Sequence, residues 1–167
     1  MAHLGAFQSE AEANEERIAS LISTCNALLP AAQDAGVVFA LENVMPGPGT
    51  DLVRAVLHEL DPQVFGLCYD SSHDQIDGPR PFDLIDEFAG RIFAVHLSDR
   101  IRAHVDHVTP GEGFIAWPEM CAKLRSAQYR GPILMEVMMT HSSFRDVKSF
   151  LHEAHRGAGR TWNLIHG

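Results

Sequence analysis

Four residues of types that bind metal ions occur at the ends of four short apolar segments. Glu42 ends "FALE", Asp70 ends "FGLCYD", His96 lies in "IFAVHL" and Glu136 lies in "ILMEV". Three carboxylates gathered in one pocket repel one another unless a cation holds them together. One imidazole with three carboxylates suits a divalent ion of intermediate hardness, such as manganese, magnesium, cobalt or zinc. The residue types therefore predict one divalent metal ion bound by these four side chains.

The elements that must position these residues alternate along the chain. Helical spacing of apolar residues predicts helices over about 10–34, 51–60, 81–90, 116–127 and 143–155. Short apolar runs predict strands over 37–43, 64–70, 91–97 and 132–137. We expect Pro30 to kink or restart the first helix, and the Gly-rich segment after residue 155 to end the last one. Strict alternation favours an α/β fold with parallel strands and crossover helices.

Alternating side chains sort the predicted strands into two faces. The four candidate ligands share one face, at the carboxyl-terminal edge where parallel α/β folds place their sites. The same face also carries Val38, Ala40, Ile92 and Leu134. The other face is bulkier and suits helix packing. A lone acidic residue at a strand end is more often solvated or a helix cap, so the metal prediction depends on all four strands ending alike.

Composition and charge narrow the class of protein. A chain of 167 residues with 46% hydrophobic residues can bury a core, and we expect one domain over residues 1–167. A net charge of -9 disfavours nucleic acid as a partner. Three scattered cysteines without a Cys-x-x-Cys pair indicate a reduced, cytoplasmic protein. No apolar run reaches membrane-spanning length, so we expect no membrane association.

Five motifs resemble those of one known family. The segments "LEN", "CYDSSH", "VHLSD", "TPGEGFIAW" and "ILMEV" occur in the order and spacing of the xylose isomerase-like (β/α)8-barrel superfamily. This superfamily includes sugar isomerases, ketose 3-epimerases, hydroxypyruvate isomerases, inosose dehydratases and apurinic endonucleases. The resemblance covers nearly the whole chain, and it does not specify one substrate.

The resemblance implies roles for particular residues. Glu42, Asp70, His96 and Glu136 correspond to the metal ligands of the family, and Glu42 and Glu136 also correspond to its proton-transfer residues. His73 resembles a substrate-binding histidine of the family.

Further residues of the loops match the family less completely. Arg102 resembles an arginine that contacts substrate oxygens in the epimerase branch. His107 matches an additional metal position of the endonuclease branch, but Val105 stands where that branch has an aspartate, so we do not expect a second metal. Glu112 is a candidate for the rim of the pocket, and we expect His104 to be a solvated loop residue.

These roles together imply proton transfer on a small sugar, polyol or hydroxy-ketone. A metal that polarises two substrate oxygens stabilises the enediolate formed when a carbon-bound proton leaves. One glutamate removes this proton and the other delivers one. Isomerisation and epimerisation both fit this scheme. A non-catalytic metal-binding half-barrel, as a subunit or a remnant, is the alternative, and an apurinic endonuclease-like nuclease is a weaker one.

Only about four βα units are present, and they resemble the last four of the barrel. A complete barrel has eight such units in roughly 250 residues. The prediction is therefore a partial TIM barrel with two unpaired strand edges and an uncovered inner face. We expect either a homodimer or a complementing half-barrel chain to cover them.

Overall fold

Four parallel strands form one sheet in chain order in the computed structural model, which describes residues 10–44, 48–74, 80–102 and 105–167. The strands are β1 (Phe39–Glu42), β2 (Phe65–Asp70), β3 (Ile92–Leu97) and β4 (Ile133–Met135). The helices are α1 (Glu10–Ala35), α2 (Pro48–Glu59), α3 (Asp83–Glu87), α4 (Trp117–Ser126) and α5 (Val147–His166), and a 3-10 turn (Ala89–Arg91) precedes β3. Helices connect consecutive strands, which confirms the predicted α/β fold.

The last helix differs from its prediction at both ends. It begins at Val147, where the side chain of Asp146 caps it by accepting a hydrogen bond from the Ser149 backbone N–H at 3.0 Å. It continues through Gly157 and ends at His166, so the prediction of a glycine stop is wrong. Gly157 packs closely against Pro110, because a Cβ atom there would lie 3.1 Å from the proline ring. This glycine permits close packing and does not terminate the helix.

Two other helices also depart from the prediction. The first helix runs through Pro30 as one element, without the predicted restart. The predicted helix over 81–90 is shorter, because Gly90 lies in the 3-10 turn that leads into β3. In the described part of the chain, no helix has the length and apolar character that a membrane crossing requires.

The core lies between the sheet and its helices. The outer face of the sheet contributes Phe65, Leu67, Tyr69, Val95 and Leu97, all buried. The helices contribute Leu57, Leu84, Ile85, Met120 and Leu124, which are also buried. The prediction that the bulkier strand face packs against helices is therefore confirmed.

The inner face of the sheet is open. Val38 is 57% exposed and Leu134 is 54% exposed, and Ala40 is also exposed. Each would lie inside the barrel if four more strands closed it. The core that stabilises this chain therefore belongs to the outer layer alone.

A β-bulge corrects the predicted face of one residue. Leu67 pairs with Ile92 and Cys68 pairs with Ala94, so Phe93 is an extra residue in β3. Paired residues of parallel strands lie on the same face, which places Ile92 with Leu67 on the helix side. Ile92 packs against the outer core, and the prediction that it belongs to the inner face is wrong.

Candidate functional site

The carboxyl-terminal edge of the sheet brings the four predicted ligands together. Glu42 and Asp70 end β1 and β2, His96 is the next-to-last residue of β3, and Glu136 directly follows β4. One ligand atom from each of them lies within 4.8 Å of the other three. On a flat sheet the first and fourth strands would be about 14 Å apart, so this convergence requires an inward-curved sheet. We call these four residues the ligand cluster.

Backbone pairing sets the register of the cluster. Asp70 pairs with His96, and the backbone N–H of Glu136 donates to Leu97 O at 3.1 Å just beyond β4. Asn43 is fully buried and joins the ends of β1 and β2. Its Nδ2 donates to Asp70 O at 2.9 Å, and its Oδ1 accepts from the Asp70 backbone N–H at 2.8 Å. Asn43 therefore fixes the position of Asp70 relative to Glu42.

The two oxygens of the Asp70 carboxylate have different surroundings. Oδ1 accepts hydrogen bonds from the Ser72 backbone N–H at 2.7 Å, from Ser72 Oγ at 2.9 Å and from the His73 backbone N–H at 3.1 Å. Oδ2 is buried and has no hydrogen-bond partner among the described residues. The loop after β2 thus orients the carboxylate through one oxygen and leaves the other facing the cluster.

His96 and Glu136 also present buried atoms to the cluster. His96 Nδ1 lies 2.8 Å from Glu136 Oε2 and 3.5 Å from Glu42 Oε2. Neither His96 Nδ1 nor Glu136 Oε2 has a hydrogen-bond partner of acceptable geometry in the described part of the chain. Buried polar atoms normally have such partners. Three convergent atoms without them fit a bound cation, and the donor set of one imidazole and three carboxylates suits a divalent one.

The electrostatics of the cluster also favour a bound cation. Burial raises the pKa of Glu42 above its ordinary value, and the neighbouring carboxylates of Asp70 and Glu136 raise it further against the effect of His96. A cation would remove this repulsion. Cys68 lies beside the cluster. Burial raises the pKa of its thiol to about 12, with smaller contributions from the carboxylates of Glu42, Asp70 and Glu136.

His73 borders the cluster. Its side chain is nearly buried, and its Nδ1 lies 3.6 Å from both Glu42 Oε1 and Asp70 Oδ2. Its ring meets the ring of His107 edge-on, with 5.2 Å between centroids. Asp70, His73 and His107 also bring ligand-type atoms within 4.8 Å of one another.

His107 connects the cluster to an acidic neighbour. Its Nδ1 lies 3.0 Å from Asp106 Oδ1, and its Nε2 lies 4.0 Å from Glu136 Oε1. Burial raises the pKa of Asp106, but the hydrogen bond with His107 holds that pKa below its ordinary value. The backbone of His107 is left-handed (φ 57°), and its carbonyl accepts from the Met138 N–H at 2.6 Å. This contact joins the loop after β3 to the segment after β4.

The remaining predicted positions lie farther from the cluster or outside the described residues. Arg102 is exposed and forms an isolated antiparallel bridge with Val105. Its role in binding substrate stays a prediction. His104 lies outside the described residues.

Glu112 holds two loops together. Its Oε2 accepts hydrogen bonds from the Thr109 backbone N–H and hydroxyl and from Ser142 Oγ, at 2.6 to 3.1 Å. Its Oε1 accepts from the backbone N–H and hydroxyl of Ser143, both at 2.6 Å. Burial raises the pKa of Glu112, but these hydrogen bonds outweigh it and lower the pKa to about 2. Glu112 thus supports the rim, and its oxygens face Thr109, Ser142 and Ser143 instead of the ligand cluster.

Asp99 is a buried residue that the sequence analysis did not single out. Its two oxygens accept four hydrogen bonds at 2.8 to 3.1 Å. The donors are the backbone N–H groups of Arg100, Gly111 and Ile115 and the indole N–H of Trp117. Asp99 therefore joins the start of the segment after β3 to the residues that lead into α4. The signal was its position in "VHLSD", two residues after the end of a strand.

Arg100 is a second residue that sequence reasoning missed. It is buried, donates to Ser72 O at 3.3 Å and lies 5.4 Å from the centroid of the Phe114 ring. Gly113 passes close by, since a Cβ atom there would lie 2.3 Å from Arg100 O. Arg100 and Gly113 thus pack the loop after β3 against the loop after β2, which carries the hydrogen bonds to Asp70.

Comparison with known proteins agrees with this architecture. A family model described as the xylose isomerase-like TIM barrel matches residues 1–154. Inosose dehydratase 2 of Bacillus cereus is 25% identical over an alignment 150 positions long, gaps included, that covers 78% of this chain and 50% of the relative. The chain thus spans half the length of that curated relative.

Two solved structures share the fold. A D-tagatose 3-epimerase-like protein matches with a TM-score of 0.71 and 18% identity, covering 99% of this chain and 60% of the other. The IOLI protein with a bound zinc atom matches with a TM-score of 0.65 and 21% identity, covering 91% of this chain and 57% of the other. Nearly complete coverage of this chain and partial coverage of its neighbours confirm the predicted partial barrel.

Proposed function

Because the chain belongs to the xylose isomerase-like TIM barrel family, we propose that it is a metal-dependent isomerase or epimerase of a small sugar, polyol or hydroxy-ketone. The observation that carries this proposal is the convergence of four ligand atoms within 4.8 Å at the carboxyl-terminal edge of the sheet. The names of the relatives support it, since they include an inosose dehydratase and a D-tagatose 3-epimerase-like protein.

Glu42, Asp70, His96 and Glu136 would hold one ion of manganese, magnesium, cobalt or zinc. When bound, the ion would stabilise negative charge that develops on two neighbouring substrate oxygens. Asp70 and His96 come from the central strands and would serve as ligands only. Their orientation is fixed by the loop after β2 and by the β2–β3 pairing.

Glu42 and Glu136 would move the proton. Glu42 ends β1 and Glu136 follows β4, so these two members of the cluster come from the two outer strands and would flank a substrate from opposite sides. One carboxylate would take a proton from the carbon next to the substrate carbonyl, and the other would deliver a proton. Delivery to the opposite face of the same carbon is epimerisation. Delivery to the neighbouring carbon, with a hydroxyl proton moving in return, is isomerisation.

His73 and Arg102 would bind the substrate. His73 is nearly buried and its Nδ1 has no hydrogen-bond partner in the described residues, so it can bind a substrate hydroxyl beside the cluster. Arg102 is exposed in the loop after β3 and would contact oxygens at the outer end of a sugar. His107 would support Glu136 from behind, at 4.0 Å.

Solvent deuterium exchange tests the proposed reaction. The chain is incubated in D2O with each of the four metal ions and a panel of ketohexoses and keto-inositols, and the sugars are analysed by mass spectrometry and NMR. We expect one deuterium on a carbon next to the carbonyl. Glu136→Gln should abolish this exchange, while Glu112→Gln, which removes a carboxylate of the same rim, should retain it.

Metal content is measured separately on the same samples. One ion per chain without any deuterium exchange on the panel would contradict the isomerase proposal and favour the non-catalytic metal-binding subunit. Absence of stoichiometric metal would contradict the metal site itself.

A dehydratase is the second candidate, because two of the curated relatives are named inosose dehydratases. Removal of a proton next to a carbonyl can be followed by departure of a hydroxide from the next carbon. The deuterium assay separates the two reactions. A dehydrated product loses the mass of one water, whereas an isomer or epimer retains the mass of its substrate apart from deuterium.

A further inference from the structure

The backbone of His107 is held in a strained conformation beside the ligand cluster. Its φ angle of 57° lies in the left-handed region, which costs free energy for a residue that has a Cβ atom. Its carbonyl accepts a hydrogen bond from the Met138 N–H at 2.6 Å, and its Nδ1 lies 3.0 Å from Asp106 Oδ1. Strain of this kind persists only where the surroundings hold it, and it is most common at binding sites. The position of the His107 ring is therefore fixed by its neighbours.

The contact with Asp106 leaves one nitrogen of the His107 ring for another partner. This atom, Nε2, forms no hydrogen bond within the described part of the chain, and it lies 4.0 Å from Glu136 Oε1. A direct hydrogen bond would need a distance of roughly 2.7–3.2 Å. One oxygen atom placed between the two atoms would lie within hydrogen-bonding distance of both. The spacing therefore fits a hydroxyl group of a ligand.

A second imidazole lies beside the first. The rings of His73 and His107, which we call the histidine pair, meet edge-on with 5.2 Å between their centroids. His73 Nδ1 is buried without a hydrogen-bond partner among the described residues, and it lies 3.6 Å from Asp70 Oδ2. The histidine pair thus adjoins the ligand cluster at Asp70 and Glu136, so a molecule bound at the cluster would meet it.

A second cation is the other ligand that the histidine pair and Asp70 suit, since their ligand-type atoms lie within 4.8 Å of one another. The contacts of these residues argue against it. Asp70 Oδ1 accepts three hydrogen bonds, and its Oδ2 faces the ligand cluster. His107 Nδ1 is hydrogen-bonded to Asp106. A second ion would have only two imidazole nitrogens that it does not share, whereas protein sites for zinc supply three or four ligands.

We propose that His107 binds a hydroxyl group of the substrate, next to the two oxygens that the metal would hold, and that Asp106 positions the His107 ring. A hydroxyl group donates to a bare imidazole nitrogen and accepts from a protonated one, so the contact forms in either case. This inference rests on the proposed function and narrows its substrate class to polyhydroxylated ketones. A simple hydroxy-ketone, whose two oxygens both bind the metal, lacks the group that His107 contacts.

Two ketones that differ in their hydroxyl groups test this contact. The protein is loaded with manganese, and binding of erythrulose or hydroxyacetone is followed by the change in water-proton relaxation as each displaces metal-bound water. His107→Asn places an amide where Nδ1 lies, tolerates the left-handed backbone and removes Nε2. We expect this variant to bind erythrulose roughly 5- to 10-fold more weakly, which is the loss of about one hydrogen bond. Hydroxyacetone binding should stay within about 2-fold, which also shows that the variant is folded.

Two further variants serve as controls. His107→Gln carries its amide where Nε2 lies and should retain most of the affinity for erythrulose. His141→Asn makes the same change at an exposed histidine of the segment after β4 and should leave the binding of both ketones unchanged. If His107→Asn weakens both ketones equally, or neither, the role of His107 in binding is wrong.

Metal content separates this inference from the proposed function. Two manganese ions per chain, one of which is lost in His107→Asn, would overturn the hydroxyl contact in favour of a second cation. Absence of bound manganese from the unsubstituted protein would overturn the proposed metal site, and this inference with it. One ion per chain in both proteins, with selective loss of erythrulose binding, is the expected result.

Asp106 is tested by its coupling to His107. Asp106→Asn should weaken erythrulose binding by roughly 2- to 5-fold in the otherwise unsubstituted chain, because the ring loses its charged hydrogen-bond partner. In the His107→Asn variant the same substitution should have no further effect, since Asp106 acts through that ring. Equal losses in the two backgrounds would contradict the positioning role of Asp106.

Discussion

Two groups of carboxylates lie at the same edge of the sheet, and they differ in what their oxygens contact. The ligand cluster keeps buried oxygens of Asp70 and Glu136 without hydrogen-bond partners among the described residues. Asp99 and Glu112, which we call the strut carboxylates, use both oxygens as acceptors. We infer from this difference that the first group is a ligand site and the second supports the loops. A carboxylate whose two oxygens both accept hydrogen bonds holds loops in place. A carboxylate with an oxygen that accepts none, and that faces other such groups, is available to a ligand.

The largest expected loss of stability follows removal of a strut carboxylate. Asp99→Ala leaves three backbone N–H groups and the Trp117 indole N–H without their acceptor. Each buried unsatisfied group costs about 1–3 kcal/mol, so we expect a loss of about 3–5 kcal/mol after partial relaxation. Urea unfolding followed by tryptophan fluorescence measures it.

Asp83→Ala is the control for this substitution. Asp83 forms ion pairs with Arg54 and Arg80 at the surface, and removing such pairs costs about 1 kcal/mol or less. If Asp99→Ala destabilises the protein no more than Asp83→Ala does, the description of Asp99 as a strut is wrong.

The next largest expected effect is a loss of metal affinity, which compares the ligand cluster with the strut carboxylates directly. Asp70→Asn keeps an oxygen for the Ser72 and His73 donors but replaces the unpartnered oxygen with an amide N–H2. We expect metal affinity to fall by at least ~100-fold, since even indirect supporting groups contribute 10- to 100-fold. Titration calorimetry with manganese or zinc measures it.

Glu112→Gln makes the same chemical change in a strut carboxylate. It should leave metal affinity within about 3-fold of the original, because the Glu112 oxygens contact Thr109, Ser142 and Ser143 and not the cluster. Equal losses in the two variants would show that the two groups of carboxylates do not differ in the way described.

A smaller effect is expected for the stability contributed by Glu112. Hydrogen bonds lower its pKa from 4.5 to about 2, so ionised Glu112 stabilises the folded state. The contribution is fully present above pH 4.5 and is lost as pH falls toward 2. Allowing for partial solvent exposure, Glu112→Gln should lower stability at pH 7 by about 1–2 kcal/mol. The difference from the unsubstituted chain should shrink steadily below pH 4.5, and a constant difference would contradict the pKa assignment.

The smallest expected effect is a gain of stability, not a loss. The pKa of Glu42 is raised by burial and by the carboxylates of Asp70 and Glu136, so its charge destabilises the metal-free fold. Glu42→Gln should therefore raise the stability of the chelator-treated protein by up to ~1 kcal/mol, and lower the stability gained on adding metal. Thermal unfolding with and without a chelator checks both signs. A loss of stability in the metal-free state would place Glu42 among the struts.

The sequence predicted that the four residues of the ligand cluster would converge, but it did not predict the struts, and the reason is physical. Strand alternation and the parallel order of the strands are local properties, and they suffice to bring Glu42, Asp70, His96 and Glu136 to one edge. The role of Asp99 depends on donors 12 to 18 residues away in a loop, whose path no periodicity describes.

Two local errors have a similar origin. Gly157 was expected to end a helix, but its contact with Pro110 comes from a distant part of the chain. Ile92 was assigned to the inner face because alternation assumes a regular ladder, and the bulge at Phe93 interrupts it. In both cases tertiary packing overrides a local rule.

The bulge in β3 lets Ile92 and His96 lie on opposite faces of the sheet. In a regular strand Ile92 and His96 would point to the same side of the sheet. The extra residue Phe93 shifts the alternation by one position, so Ile92 packs against the helices while His96 stays at the ligand cluster. One inserted residue thus reconciles a core position and a candidate ligand within a strand of six residues.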